Sequence, residues 1–124
     1  EVSWQALLQE SFITLQRPSA VRLLLEARVS AQHGSLPVAF ESHQLVTVGR
    51  MVANGLGVSA VPNLCLRQME ELGARCVPLV GPQVERRVGM LRRIDHPLSS
   101  AAQALCDALE RSTDLFNASL AAAR

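Results

Sequence analysis

The chain has no lysine: all twelve of its basic residues are arginine. Arginine forks suit carboxylates and phosphates, yet these are scattered evenly, as codon bias scatters them, and mark no site on their own. Neither sign of charge dominates. Twelve basic against eleven acidic residues leave a net charge of +1 over 124 residues, which excludes a dedicated nucleic-acid surface on this chain. Cysteine is scarce and badly spaced for chemistry. Cys65, Cys76 and Cys106 are odd in number and form no C-x-x-C pair, so neither a disulfide framework nor a zinc site is expected. They read as buried, reduced thiols of a cytoplasmic protein. No run approaches the ~20 apolar residues of a membrane span, and the N-terminus lacks the charged region and apolar run of a signal peptide. No low-complexity segment is present. Catalytic groupings are missing too: there is no nucleophile–base pair, no pair of carboxylates in one turn and no metal-ligand cluster. Glu70-Glu71 reads as the solvated end of a helix. The chain is therefore not expected to be an enzyme, and no cofactor is expected.

What is present is a hydrophobic content of 48%, enough for one domain with a core, patterned as alternating strands and helices. The chain enters at once a helical stretch, "SWQALLQE", with Trp4, Leu7 and Leu8 at helical spacing, as a piece of a longer protein would. "FITLQ" (12–16) reads as a buried strand. Pro18-Ser19 then supplies a turn and an N-cap for "AVRLLLEARVSAQ", which ends at Gly34. The unit repeats: "LPVAFE" (36–41) is a strand, Ser42 a candidate N-cap, and "HQLVTVGRMVAN" a helix with Leu45, Val48, Met51 and Val52 on one face.

Gly55-Leu56-Gly57-Val58-Ser59-Ala60 matches the G-x-G-x-x-A pattern of a dinucleotide-binding turn. That chemistry requires the glycines after a strand and before a helix, so that the helix N-terminus faces the pyrophosphate. Here they follow a helix, which Asn54-Gly55 closes, and precede the strand "VSAV" (58–61). The order is reversed and nucleotide binding is rejected. The same stretch also misses the G-x-S-x-G hydrolase elbow, because position 61 is Val.

Pro62 ends that strand and opens the helix "NLCLRQMEELG" (63–73), which "ARCVPLV" (74–80) follows as a short strand. Gly81-Pro82 breaks the pattern. "VERRVGMLRR" (84–93) reads as a longer crossing or edge strand with Val84, Arg86, Val88, Met90 and Arg92 on one face and Glu85, Arg87, Gly89, Leu91 and Arg93 on the other. The last helix, "HPLSSAAQALCDALERSTDLF", carries the stripe Leu98, Ala102, Leu105, Leu109 and Phe116, with Ser99 as its cap.

The implied architecture is an α/β fold with a parallel-rich sheet flanked by helices and right-handed crossovers. Its core is expected from Phe12, Ile13, Leu15, Val38, Phe40, Val58, Ala60, Val61, Val77 and Leu79. Ligands of such sheets settle at the carboxyl ends of strands, where helix N-termini favour anions. Those ends are Gln16 to Ser19 and Glu41 to His43.

The series "FITLQRPSAVRLLLEA", "PVAFESHQLVTVGRMVANGLGVSAVP", "VPLVGPQVERRVGMLRR" and "HPLSSAAQALCDAL" resembles the effector-binding domain of LysR-type bacterial transcriptional regulators over about residues 4–116. The resemblance implies a periplasmic-binding-protein-like domain of two lobes with a small-molecule inducer between them. Residues 1–11 would be a lead-in helix from lobe I and the hinge, 12–83 lobe II, and 84–124 the hinge return strand and C-terminal helix of lobe I. It further implies a cytoplasmic regulator that forms homodimers, and tetramers at full length, and touches DNA only through a separate N-terminal winged helix-turn-helix. By this resemblance the effector contacts are Arg17, Pro18, Ser19 and Ala20 in the turn after the first strand, with Glu41, Ser42 and His43 beside them. Arg17 would fork a carboxylate, which makes an organic acid the expected inducer. Peroxide-sensing members carry a reactive cysteine in that turn; this sequence has none there, so no thiol switch is expected. The alternative is one lobe of a solute-binding protein for transport.

Overall fold

The computed structural model describes the backbone of residues 1–81, 84–86 and 88–122, and their side chains apart from those of 30, 32, 33 and 115–122. The chain divides into two compact units, Glu1–Glu85 and Arg86–Arg124.

The first unit is built on β2 (Phe12–Leu15) and β3 (Val38–Ser42), which run parallel with Phe12 opposite Val38, Ile13 opposite Phe40, Thr14 opposite Glu41 and Leu15 opposite Ser42. A register irregularity falls between Phe12 and Ile13. The crossover between them is α2 (Ala20–His33). Strand alternation sends Phe12 and Ile13 to opposite faces of β2, and both are fully buried. Phe12 packs with Trp4, Leu7, Leu25 and Val29, so the i, i+4 pair of α2 covers one face. Against β2 and β3 also packs α3 (Leu45–Ala53), whose Val48 is buried.

Val58 touches the other edge of β2: its N–H donates to Ser11 O (2.9 Å) and its carbonyl accepts from Ile13 N (2.8 Å). The expected strand at 58–61 is therefore one bridge and goes no further. Gly57 makes that bridge possible. A Cβ at this position would lie 2.0 Å from Ser11 O, so only glycine lets the chain come this close to β2. The glycines of the G-x-G pattern thus serve a helix-to-sheet passage, with Gly55 at φ +76 just past the Asn54 C-cap of α3.

A second parallel pair joins β1 (Val2–Ser3) to β4 (Leu79–Val80), with Val2 N donating to Pro78 O at 2.9 Å. The strand expected over 74–80 shrinks to its last two residues, since Pro78 has no N–H to give a ladder. Ser3 caps the short α1 (Trp4–Leu7) by accepting from Ala6 N at 3.2 Å. The helix expected to run through Glu10 gives way to tightened turns, Gln9 N to Ala6 O and Glu10 N to Leu7 O. Pro62 precedes a 3-10 turn, Asn63–Cys65, that leads into α4 (Leu66–Glu71), whose Met69 is buried.

Two expected core residues are not in the core: Phe40 and Val77 are 42% and 47% exposed. Phe40 lies opposite the buried Ile13, but on β3, whose other edge has no ladder partner among the described residues, and this edge leaves its side chain partly in solvent. Trp4, Leu7, Leu25, Val29, Val48 and Met69 complete the core instead.

In the second unit, α5 (Ser100–Ala122) begins where Ser99 Oγ accepts from Ala102 N at 3.3 Å, as expected of its cap. The described residues of 84–93 form no strand. A strand exists only with a hydrogen-bonded partner, and none runs beside this stretch among the described residues. In the α5 stripe Leu105 and Leu109 are exposed, Leu98 and Ala102 half-buried; the Phe116 side chain and the expectations at Pro82 and Arg87 lie outside what is described. Among the described residues no helix is long and apolar enough to cross a membrane.

Candidate effector site

Parallel pairing of β2 and β3 puts the ends of both strands, and so both predicted turns, side by side. Gln16 N donates to Ser42 O at 2.9 Å, tying one turn to the other. Both α2 and α3 follow this end, each behind its own strand, and neither has a side-chain cap bond at its N-terminus.

The turn after β2 runs through Gln16, Arg17, Pro18 and Ser19 and is closed by Ser19 N donating to Gln16 O at 3.1 Å. Ser19 occupies the N-cap position of α2 without a side-chain cap bond; its carbonyl accepts from Leu23 N and starts the helix. Ala20 is the first helical residue. Pro18 and Ala20 are exposed. On the other turn, Ser42 is not the N-cap of α3. It is held in the β ladder opposite Leu15, so the helix starts later with Gln44 at its cap position, and Ser42 Oγ accepts from Gln44 N at 3.3 Å. His43 is exposed beside it.

Arg17 does fork a carboxylate, and the carboxylate is internal. Its Nε donates to Glu26 Oε1 and Oε2 at 3.2 and 3.0 Å, and its Nη2 to Oε2 at 2.7 Å. Glu26 also accepts from Arg22 Nε at 2.6 Å, and Arg22 Nη1 reaches Glu41 Oε1 at 2.9 Å. The four side chains form a chain of alternating charge, Arg17–Glu26–Arg22–Glu41, across the end of the strand pair. Arg22 is its buried member, with a side chain 8% exposed, while Arg17 stands out at 67%. Burying a guanidinium is tolerable only when it is paired, and here it has two carboxylates. The hydrogen bonds from Arg17, then those from Arg22, hold the Glu26 carboxyl below its ordinary pKa against the opposing effect of burial.

The sequence reading found Arg17 and Glu41 and missed Arg22 and Glu26. A usable signal existed: Arg22 and Glu26 stand i, i+4 on α2, and Arg22 shares the inward stripe with Leu25 and Val29. A charged residue on an apolar stripe marks a buried ion pair. The cysteines are free and half-buried; burial, with the charge of Glu70, pushes the Cys76 thiol up. Among the described residues no group of three or more His, Cys, Asp or Glu side chains is placed to hold a metal.

A family model for the LysR substrate binding domain matches residues 1–114. Over 102 residues the chain is 34% identical to an uncharacterized HTH-type transcriptional regulator, YbhD, of Escherichia coli (strain K12). Over 106 residues it is 33% identical to another, YfeR, of Shigella flexneri. These matches cover 82% and 86% of this chain but 32% and 34% of the relatives, so the chain spans about a third of their length. No solved structure matches significantly. The chain belongs to the LysR substrate-binding domain family.

Proposed function

We propose that this chain is the effector-sensing part of a bacterial LysR-type transcriptional regulator and that its effector is an organic acid bound against the turns at Arg17–Ala20 and Glu41–His43. The observation that carries the reading is the family match along residues 1–114. The relatives are named as HTH-type transcriptional regulators, which favours regulation over transport and over catalysis. Support also comes from two turns that meet at one end of a parallel strand pair, with an exposed guanidinium and two helix N-termini of the kind that favours a negative group.

In this reading residues 12–83 are lobe II of a two-lobed, periplasmic-binding-protein-like domain, entered through 1–11, and residues 84–124 return to lobe I. An effector between the lobes favours one degree of closure. Because it binds the closed arrangement better, it shifts the population of regulator dimers or tetramers that hold a separate winged helix-turn-helix on DNA. Coupling of about 1–3 kcal/mol, a 5–150-fold change in affinity, is the usual scale.

The test is Arg17→Ala in the full-length regulator. Loss of a charge-assisted hydrogen bond is worth about 1.5–3 kcal/mol, so the inducer concentration for half response should rise at least about tenfold while operator affinity without inducer stays unchanged. An unaltered inducer response would remove Arg17 from the site.

A further inference from the structure

Arg17 meets Glu26 through its Nε–Nη2 edge, the side-on fork in which a guanidinium takes a carboxylate most strongly. A carboxylate ligand arriving at the turn seeks that same fork and finds it occupied. Nor does it meet a net attractive charge, since two arginines and two glutamates sum to zero across the network. Glu26 has somewhere to stay once Arg17 lets go: Arg22 Nε holds Oε1 at 2.6 Å, closer than Arg17 Nε does at 3.2 Å, and Arg22 is itself anchored by Glu41. Arg17, mostly in solvent, is the loose end.

We infer that Glu26 is an internal ligand of Arg17, so that recognition of an acid effector is an exchange in which the effector carboxylate displaces that of Glu26, and that Glu26 thereby sets the affinity for acids. No covalent bond changes and no proton moves; Glu26 remains ionised on Arg22. The inference rests on the reading of the Arg17 turn as the effector contact. It makes Glu26 a specificity-determining residue. A neutral ligand gains nothing by exchange, whereas every anionic one must outcompete a tethered carboxylate.

The experiment follows Arg17 directly, by the Nε–H resonances of the full chain, with the Arg17 signal identified by its loss in R17Q. The probes are succinate and its uncharged counterpart succinamide. The expected result is that succinate moves the Arg17 resonance and that succinamide does not. In E26Q, which keeps the shape and loses the competing charge, succinate should bind about two- to fivefold tighter, the weight of an exposed ion pair, with succinamide unchanged. Equal or weaker succinate binding in E26Q, with Arg17 still responding in the wild type, overturns the exchange and leaves Arg17 as an effector contact. An Arg17 resonance that succinamide moves as far as succinate does also overturns it, because no carboxylate is then needed to take Arg17; this arm does not depend on the variant folding. Arg17 indifferent to succinate in both proteins overturns the exchange and the proposed acid site together.

Discussion

Replacing Gly57 with alanine should do far more damage than replacing Gly55, although both belong to one G-x-G pattern. At Gly57 a Cβ would meet Ser11 O at 2.0 Å and the Ser11 carbonyl carbon at 3.0 Å, and backbone atoms cannot swing aside. The chain must retreat from β2, which lengthens or breaks the Val58 N–Ser11 O and Ile13 N–Val58 O bonds. Two such bonds at about 1 kcal/mol each, with about 1–3 kcal/mol for a non-glycine residue at φ +156, give about 3–5 kcal/mol. At Gly55 nothing lies within 4 Å of the added methyl, so only the positive φ counts, about 1 kcal/mol. For a unit the size of Glu1–Glu85 each kcal/mol shifts Tm by about 4–8 °C. Thermal melts followed by far-ultraviolet circular dichroism should then show G57A lower by at least about 12 °C and G55A by about 4–8 °C. Equal shifts for the two variants would refute the close-approach argument.

Phe12→Ala empties a fully enclosed position of the core and should cost about 3–5 kcal/mol in urea unfolding, while Phe40→Ala on the open edge should cost about 1–2 kcal/mol; similar losses would mean that Phe40 is covered in solution. The Glu26 carboxyl, held below its ordinary 4.5 by Arg17 and Arg22, stabilises the fold fully above that value. This contribution fades as pH falls through the lowered folded pKa, because the unfolded chain takes up its proton first. Arg17→Gln should accordingly shrink the stability lost on acidification below pH 4.5, and superimposable acid limbs for the two proteins would show that Arg17 does not perturb Glu26.

Much of the element order was legible because its signals are local. Strand β2, the helix over Ala20–His33 and its end at Gly34 follow from periodicity and punctuation within a few residues. The rejection of nucleotide binding rested on chain order alone, and the structure puts those glycines between α3 and the Val58 bridge. Where the reading failed, the deciding partner was distant. Residues 84–93 have a strand's composition and, among the described residues, no ladder to join. Ser42 has an N-cap's chemistry, but its backbone is claimed by Gln16 across the sheet. Phe40 alternates as a core residue should, on a strand whose far edge has no partner among the described residues.

The candidate site divides along the same line. Sequence by itself determined that turns carrying Arg17 and Glu41 end two successive strands and precede two helices, since a strand, its turn and the following helix are written in adjacent residues. Only the tertiary structure decided that those turns adjoin, that Arg17 closes on Glu26 nine residues later and that a buried Arg22 ties Glu26 to Glu41 on the next strand. Ion pairing depends on distance in space and on how much water is excluded, and neither quantity is a property of the order of residues.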